Sequence, residues 1–331
     1  MFATRYALAA AALVGALALT ATPTTAQTKW DLSTAWPEGN FHTKNAKRFA
    51  DEVKTATGGA VEIEVKAGGQ LGFKGPEHLR AVRDGLVPMA DILNIQQIGD
   101  EPILGIEGIP FLVGNADELK VLHKYIRPVY EKIAAKNNQK ILYVVPWPTQ
   151  YLHLKVKAQT MEALKGIKIR VPDKGTLDLL KAVGMNPVLI PWGEVVPALA
   201  SGAVHGESTS AVSAVDGKFW EFLKYSLATN QTWSSQMVTV NLDAWNAIKP
   251  EYQKAIVALA EKLEPGFWAT SLQADKDSVA KLKAHGMEVL TVPAPMMKEL
   301  RARTKPQMEA FFKKIPAARA PVEACLKAMN R

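Results

Sequence analysis

A single cysteine, Cys325, is all the thiol that 331 residues contain. One thiol excludes an intrachain disulfide framework and a metal site built from several thiolates. Its setting, Val322-Glu323-Ala324-Cys325-Leu326, reads as one buried position on a terminal helix. The short motifs of the large enzyme classes are missing as well. There is no His-Glu-x-x-His, no Gly-x-Ser-x-Gly, no Gly-x-x-x-x-Gly-Lys-Ser/Thr and no Gly-x-Gly-x-x-Gly. The six histidines are dispersed at positions 42, 78, 123, 153, 205 and 285. The formal charge is +8, yet no block of like charge occurs. Nucleic acid wants a clustered basic footprint, so it is not an expected partner. Beyond the N-terminus, no apolar run approaches the ~20 residues of a bilayer span. No enzyme and no cofactor are expected.

The N-terminus is present for another purpose. Arg5 is a small positive region, Ala7 to Leu19 is apolar or small, and Thr24-Thr25-Ala26 is a cleavage site with a small residue last. Residues 1–26 are expected to be a secretory signal peptide, which places the mature chain, from near Gln27, in the periplasm. Removing 26 of 331 residues leaves about 305, enough for about two domains. The content, 48% hydrophobic and 22% charged, is that of a globular protein with a large core.

The early order is strand, helix, strand, helix, strand. Trp30–Ala35, Val61–Val65 and Met89–Leu93 are the strands, and the helices are Phe41–Thr55 and Pro76–Asp84. This implies an α/β fold with a parallel sheet. Lys140–Pro146 is the next strand. The chain then crosses into a second lobe with strands Tyr151–Val156, Ile167–Val171 and Asn186–Ile190. Met237–Asn241 returns to the first lobe. Pro250–Gly286 is one long helical stretch, expected to kink or be interrupted at Pro265-Gly266 and to run across the back of both lobes. The division expected is 27–147 and 237–275 for lobe I, 148–236 and 276–331 for lobe II. Several crossings without a loose linker suggest a hinge.

Apolar and basic residues alternate in Ile167-Lys168-Ile169-Arg170-Val171, and Pro172 ends the strand. Arg170 thus stands at a strand's C-terminal end, where ligands bind in open α/β sheets. Its guanidinium is a permanently charged fork that fits a carboxylate. An ordinary ion pair with a neighbouring Asp or Glu is the equally weighted alternative.

Five stretches then resemble the DctP-type substrate-binding proteins of tripartite ATP-independent periplasmic (TRAP) transporters. They are Gly68-Gly69-Gln70-Leu71-Gly72; Asp100-Glu101-Pro102-Ile103 with Ile109-Pro110-Phe111-Leu112; Leu164 to Pro172; Gly184-Met185-Asn186-Pro187 with Pro191-Trp192-Gly193-Glu194-Val195; and Leu242-Asp243-Ala244-Trp245. They fall in the family's order along nearly the whole mature chain. The resemblance implies a two-lobed periplasmic binding protein with a helix spanning both lobes. It implies a cleft closing on an organic acid, Arg170 as the carboxylate anchor, and delivery to integral membrane subunits. A monomer is expected.

Two departures bear on the ligand. Many relatives carry a second arginine where this chain has Gln150-Tyr151-Leu152-His153. The segment His205-Gly206-Glu207-Ser208-Thr209 also differs from the family's usual acidic and amide pattern. Aromatic residues cluster near predicted strand ends: Trp36, Phe73, Trp147, Tyr151, Trp192 and Trp233. Such walls suit an apolar ligand body, although tryptophans also fill cores. Lys74, Gln96, Ser208 and Thr209 are the polar candidates. Together with Arg170 they point to a monocarboxylate with an aromatic or otherwise apolar body. Small C4-dicarboxylates and sugar acids are the alternative within the family. A receptor that presents its ligand to a sensor, or a periplasmic enzyme, is the alternative outside it.

Overall fold

The computed structural model describes residues 27–331, so the expected signal peptide lies outside the described residues. Among the described residues eleven strands form two sheets. The first holds β1 (Thr28–Ser33), β2 (Val61–Lys66), β3 (Met89–Leu93), β4 (Gln139–Pro146) and, from later in the chain, β10 (Ser235–Asn241). Their order is β2-β1-β3-β10-β4. The second sheet has the order β11-β9-β5-β8-β6-β7. Its strands are β5 (Gln150–Leu154), β6 (Lys168–Val171), β7 (Asn186–Leu189), β8 (Gly206–Ser210), β9 (Tyr225–Ala228) and β11 (Glu288–Thr291).

The expected strand–helix alternation is present, but the first sheet is mixed rather than parallel. β10 lies between β3 and β4 and runs antiparallel to both. It is the return crossing itself, and a strand entering from the opposite lobe arrives with reversed direction. Every residue of β3 and β10 is buried, as expected of central strands covered on both faces.

The helix Pro250–Ala284 is 35 residues long and uninterrupted. The helix is not interrupted at Pro265-Gly266. Proline removes one helical hydrogen bond, and anchors to β4 flank that point. Glu264 accepts from the Val144 amide at 3.0 Å. The Trp268 indole donates to Val144 O at 2.8 Å, and Ser271 Oγ donates to Pro146 O at 2.6 Å. The same helix reaches lobe II, where Leu282 joins a core with Tyr151, Val195, Leu199 and Phe219. It therefore spans both lobes.

The expected assignment of 276–331 to lobe II needs correction at its end. Met296 and Leu300 of the helix Ala294–Thr304 pack in the second lobe. Phe312, Ala318, Val322 and Cys325 pack instead with Leu119, Leu122 and Ile126 in the first. The apolar stripe of the terminal helix finds its partner there, so the helix Pro306–Lys314 is a further crossing. Cys325 is buried, and burial pushes its thiol above the ordinary value.

Two strands, β8 and β9, were not foreseen. β8 reads Gly-Glu-Ser-Thr-Ser and is buried throughout. Gly206 opens it because a Cβ there would sit 2.8 Å from His153 O and from Leu154 Cδ2. Only glycine lets β8 approach β5 this closely.

Candidate functional site

Arg170 lies on β6 and is buried, as is Glu207 on the neighbouring β8. The two are register partners and so share one face of the sheet. Arg170 Nη1 donates to Glu207 Oε1. Arg170 Nε donates to Ile190 O at 2.7 Å. Two of its donor nitrogens are thereby fixed, and the fork cannot swing. Nη2 makes no hydrogen bond to a protein atom among the described residues. Arg170 is thus half of an ion pair with Glu207, and it also lines a cavity.

That cavity lies between the lobes and is about 20 Å³ in volume. Trp36, Leu93, Ile95 and Trp147 come from the first lobe, and Arg170, Trp192 and Thr209 from the second. Gln150, Ser213 and Ser234 complete its polar lining. Trp36 packs edge-on against Trp147 at 4.7 Å and faces Trp192 across the cleft at 5.8 Å. Trp36 and Trp192 also line a larger cavity of about 200 Å³ with Phe73, Lys74, Gln96 and Glu194. The two volumes therefore form an inner chamber and a mouth that share a tryptophan wall.

Some of the buried polar atoms left without a protein partner among the described residues belong to residues at or beside these cavities. They include Trp36 Nε1, Trp147 Nε1, Gln96 Oε1 and Glu207 Oε2. A buried donor without an acceptor costs about 1–3 kcal/mol. Trp36 and Trp147 line the chamber together with Arg170, and their unpartnered indole N–H groups favour a molecule that carries oxygen acceptors.

The structure separates the other candidates. Trp36, Trp147, Trp192, Thr209 and Arg170 line the inner chamber. Phe73, Lys74 and Gln96 belong to the mouth. Lys74 is exposed and bridges to Glu194 at 2.8 Å, so its charge is met by a carboxylate from the other lobe. Tyr151 shares a strand face with His153 and stacks on it at 5.8 Å. Its hydroxyl meets Asp275 of the long helix rather than the chamber, and burial raises both groups, the tyrosine well above its ordinary value and Asp275 to about 6. Ser208 points to the opposite face, where its Oγ accepts from Gln231 Nε2 at 3.1 Å. Trp233 packs in the first lobe's core with Ile109, Leu119 and Met237. Ser208 and Trp233 are therefore structural here, since strand parity and core packing turn them away. Gln150 and Ser234 carried no signal in the sequence beyond their nearness to predicted crossings, and Ser213 carried none.

A second contact between the lobes lies outside the chamber. Asn40 caps the helix Phe41–Ala56 by accepting from the His42 amide at 2.8 Å. Its side-chain nitrogen donates to Asp216 Oδ2 of the second lobe at 2.6 Å. Desolvation raises Asp216 to about 6. This contact joins a residue of the first lobe to one of the second. Asp216→Ala is expected to weaken ligand affinity up to about tenfold, the net worth of one such hydrogen bond, without touching the ligand. Equal calorimetric affinities of variant and wild type would remove the contact from the closure balance.

Among the described residues no group of three or more His, Cys, Asp or Glu side chains is placed to hold a metal ion. No described helix is long and apolar enough to cross a membrane.

Two lobes, several crossings, a spanning helix and a buried arginine between the lobes define the class of two-lobed solute-binding proteins. The chain belongs to family 7 of the bacterial extracellular solute-binding proteins, the DctP family, whose description it matches over residues 32–315. Two extracytoplasmic solute receptors of Bordetella pertussis, each solved binding pyroglutamic acid, superpose with a TM-score of 0.87. Their identities are 28% and 29%, with 91% and 92% of this chain and 100% of each receptor covered. The 2,3-diketo-L-gulonate-binding periplasmic protein of Escherichia coli is 25% identical over 254 residues, 74% of this chain and 76% of that protein. The chain is accordingly a solute-binding protein of the TRAP type rather than an enzyme, and its family is extracytoplasmic.

Proposed function

We propose that this protein captures a compact monocarboxylate with an apolar or ring-shaped body, aromatic acids included, in the periplasm. It then delivers that acid to the membrane subunits of a TRAP transporter. One observation carries the reading. Arg170 is the single cationic side chain of the inner chamber, and three tryptophans wall it. The ligand carboxylate takes Arg170 Nη2, and the indole N–H groups of Trp36 and Trp147 meet a second oxygen. The ligand body lies against Trp36 of the first lobe and Trp192 of the second, so that binding favours the lobes together. A ligand shifts the open–closed balance only by its preference for the closed form, and this chamber takes walls from both lobes.

C4-dicarboxylates and sugar acids are the second reading within the family, since a relative is named for 2,3-diketo-L-gulonate. A second carboxylate needs a second cation, and Lys74 at the mouth is already paired. Pyroglutamate, a compact ring acid with one carboxylate and one lactam carbonyl, fits the donor set best. Thermal-shift screening of pyroglutamate, phenylglyoxylate, succinate and glucuronate tests the proposal. The ring monocarboxylates are expected to raise the melting temperature most. Stabilisation by succinate or glucuronate alone overturns it.

A further inference from the structure

Arg170 and Glu207 belong to a longer line. Ser226 on β9, His153 on β5, Glu207 on β8 and Arg170 on β6 are successive register partners. Directly paired residues share a face, so four polar side chains form one buried row across the second sheet. Each member is buried. The row ends at the chamber, because Arg170 lines it.

The hydrogen bonds of the row fix its protons. His153 Nε2 lies 3.3 Å from Thr209 O, a carbonyl that only accepts, so Nε2 carries the hydrogen. Nδ1 then accepts from Ser226 Oγ at 2.8 Å. Burial holds His153 neutral, lowering it to about 4. It has no further hydrogen for Glu207. On the other side, Glu207 Oε1 accepts from Arg170, while Oε2 has no partner among the described residues. The helices over this face contribute apolar Val195, Leu199, Ala211 and Ala214, and Phe219 follows them. Tyr151 and Asp275 answer one another further along, and Asp216 is held by Asn40. Arg170 is thus the one charge that acts on Glu207.

In the ligand-free protein one buried cation meets one buried carboxylate. A ligand carboxylate on Nη2 makes that two anions on a single guanidinium, in a site that water barely enters. Two carboxylates sharing one site do not both stay ionised, and one of them binds a proton. The ligand acid takes the open donor of Arg170 and those of two indoles. Glu207 has an empty oxygen and no other donor, so it is the group that yields. Burial already brings it to about 7 against the pull of Arg170.

We propose that Glu207 takes up a proton from solvent as a ligand carboxylate reaches Arg170, so that the receptor binds its acid together with a proton. This rests on Arg170 as the carboxylate anchor. Glu207 acts through Arg170 and is a positioning residue. Protonation does not remove its hold, because a protonated carboxyl still offers a carbonyl oxygen to Nη1. The sign follows from linkage. A bound-state pKa above the free-state value means that binding consumes protons. Affinity is therefore highest where Glu207 is already protonated, and it falls as pH rises above about 7.

The test is calorimetric titration of pyroglutamate, phenylglyoxylate and acetate at pH 8, in phosphate and in Tris. These buffers differ in ionisation enthalpy, so the difference between observed enthalpies reports the protons taken up. An uptake between zero and one proton, with Kd rising up to tenfold per pH unit above neutrality, is expected. Glu207→Gln keeps an oxygen for Arg170 and is expected to abolish both the uptake and the pH dependence. Equal enthalpies in the two buffers, for an acid that Arg170→Ala no longer binds, overturn the proton linkage and leave the anchor standing. An acid bound equally by Arg170→Ala, or binding of none of the three, overturns the anchor and the linkage together. If Glu207→Gln does not fold, the wild-type buffer comparison decides alone.

Discussion

Arg170→Ala is expected to lose most ligand affinity, by about 2–5 kcal/mol, the usual cost of truncating one partner of a buried charged pair. That is roughly thirtyfold to several thousandfold in Kd. Part of the cost falls on the protein itself, because Glu207 would be left as an unpaired buried carboxylate. Arg170→Lys separates the two effects. Lysine supplies a charge for Glu207 but has no rigid fork, and it cannot serve Ile190 O, Glu207 and the ligand in fixed directions. Near-normal thermal stability with strongly reduced affinity is expected for Arg170→Lys. Calorimetric titration beside thermal unfolding checks both variants. Normal affinity in Arg170→Ala would assign the carboxylate elsewhere.

The place of Arg170 at a strand end was legible because two signals coincided on it. Alternation in Ile167 to Val171 identified the strand, and Pro172 marked its end. The competing possibility, an ordinary ion pair, was also legible, but its partner was not. Glu207 lies 37 residues away, on a strand without one large apolar side chain. Strand signals weigh side chains, whereas β8 is held by backbone pairing and by the missing Cβ of Gly206. The segment that departs from the family pattern is therefore the one that supplies the arginine's partner.

Sidedness explains the candidates that divide. Thr209 and Ser208 are neighbours, yet one lines the chamber and the other serves Gln231. A shift of one residue in β8 would exchange them, and the register depends on pairing partners that composition does not reveal. Trp36 and Trp147, each beside a proline in a loop, reach the cleft; Trp233, also in a loop, turns into the core. The long helix shows the opposite failure. Its length was readable, but its continuity through Pro265 depends on Glu264, Trp268 and Ser271 reaching β4. These are tertiary contacts that no local rule about proline contains.

Trp147→Ala is expected to produce the largest loss of stability, about 3–5 kcal/mol, typical of removing a large buried aromatic side chain. Trp147 is 3% exposed and packs against Trp36, Phe41 and His42 at 4.7, 5.4 and 4.5 Å. It also follows β4 at a crossing, where its amide donates to Ser234 O at 2.8 Å. A cavity there loosens the first lobe and the chamber wall together. Trp147→Phe tests something narrower. It keeps a ring against Trp36 but removes the Nε1–H that has no protein acceptor among the described residues. An acid with a keto or lactam oxygen should therefore lose up to about tenfold in affinity, the worth of one hydrogen bond. Acetate, with no second oxygen group, should lose little. Thermal unfolding reads the first variant, and paired titrations with pyroglutamate and acetate read the second. Equal losses for the two acids would make Trp147 a wall alone and remove its N–H from ligand recognition.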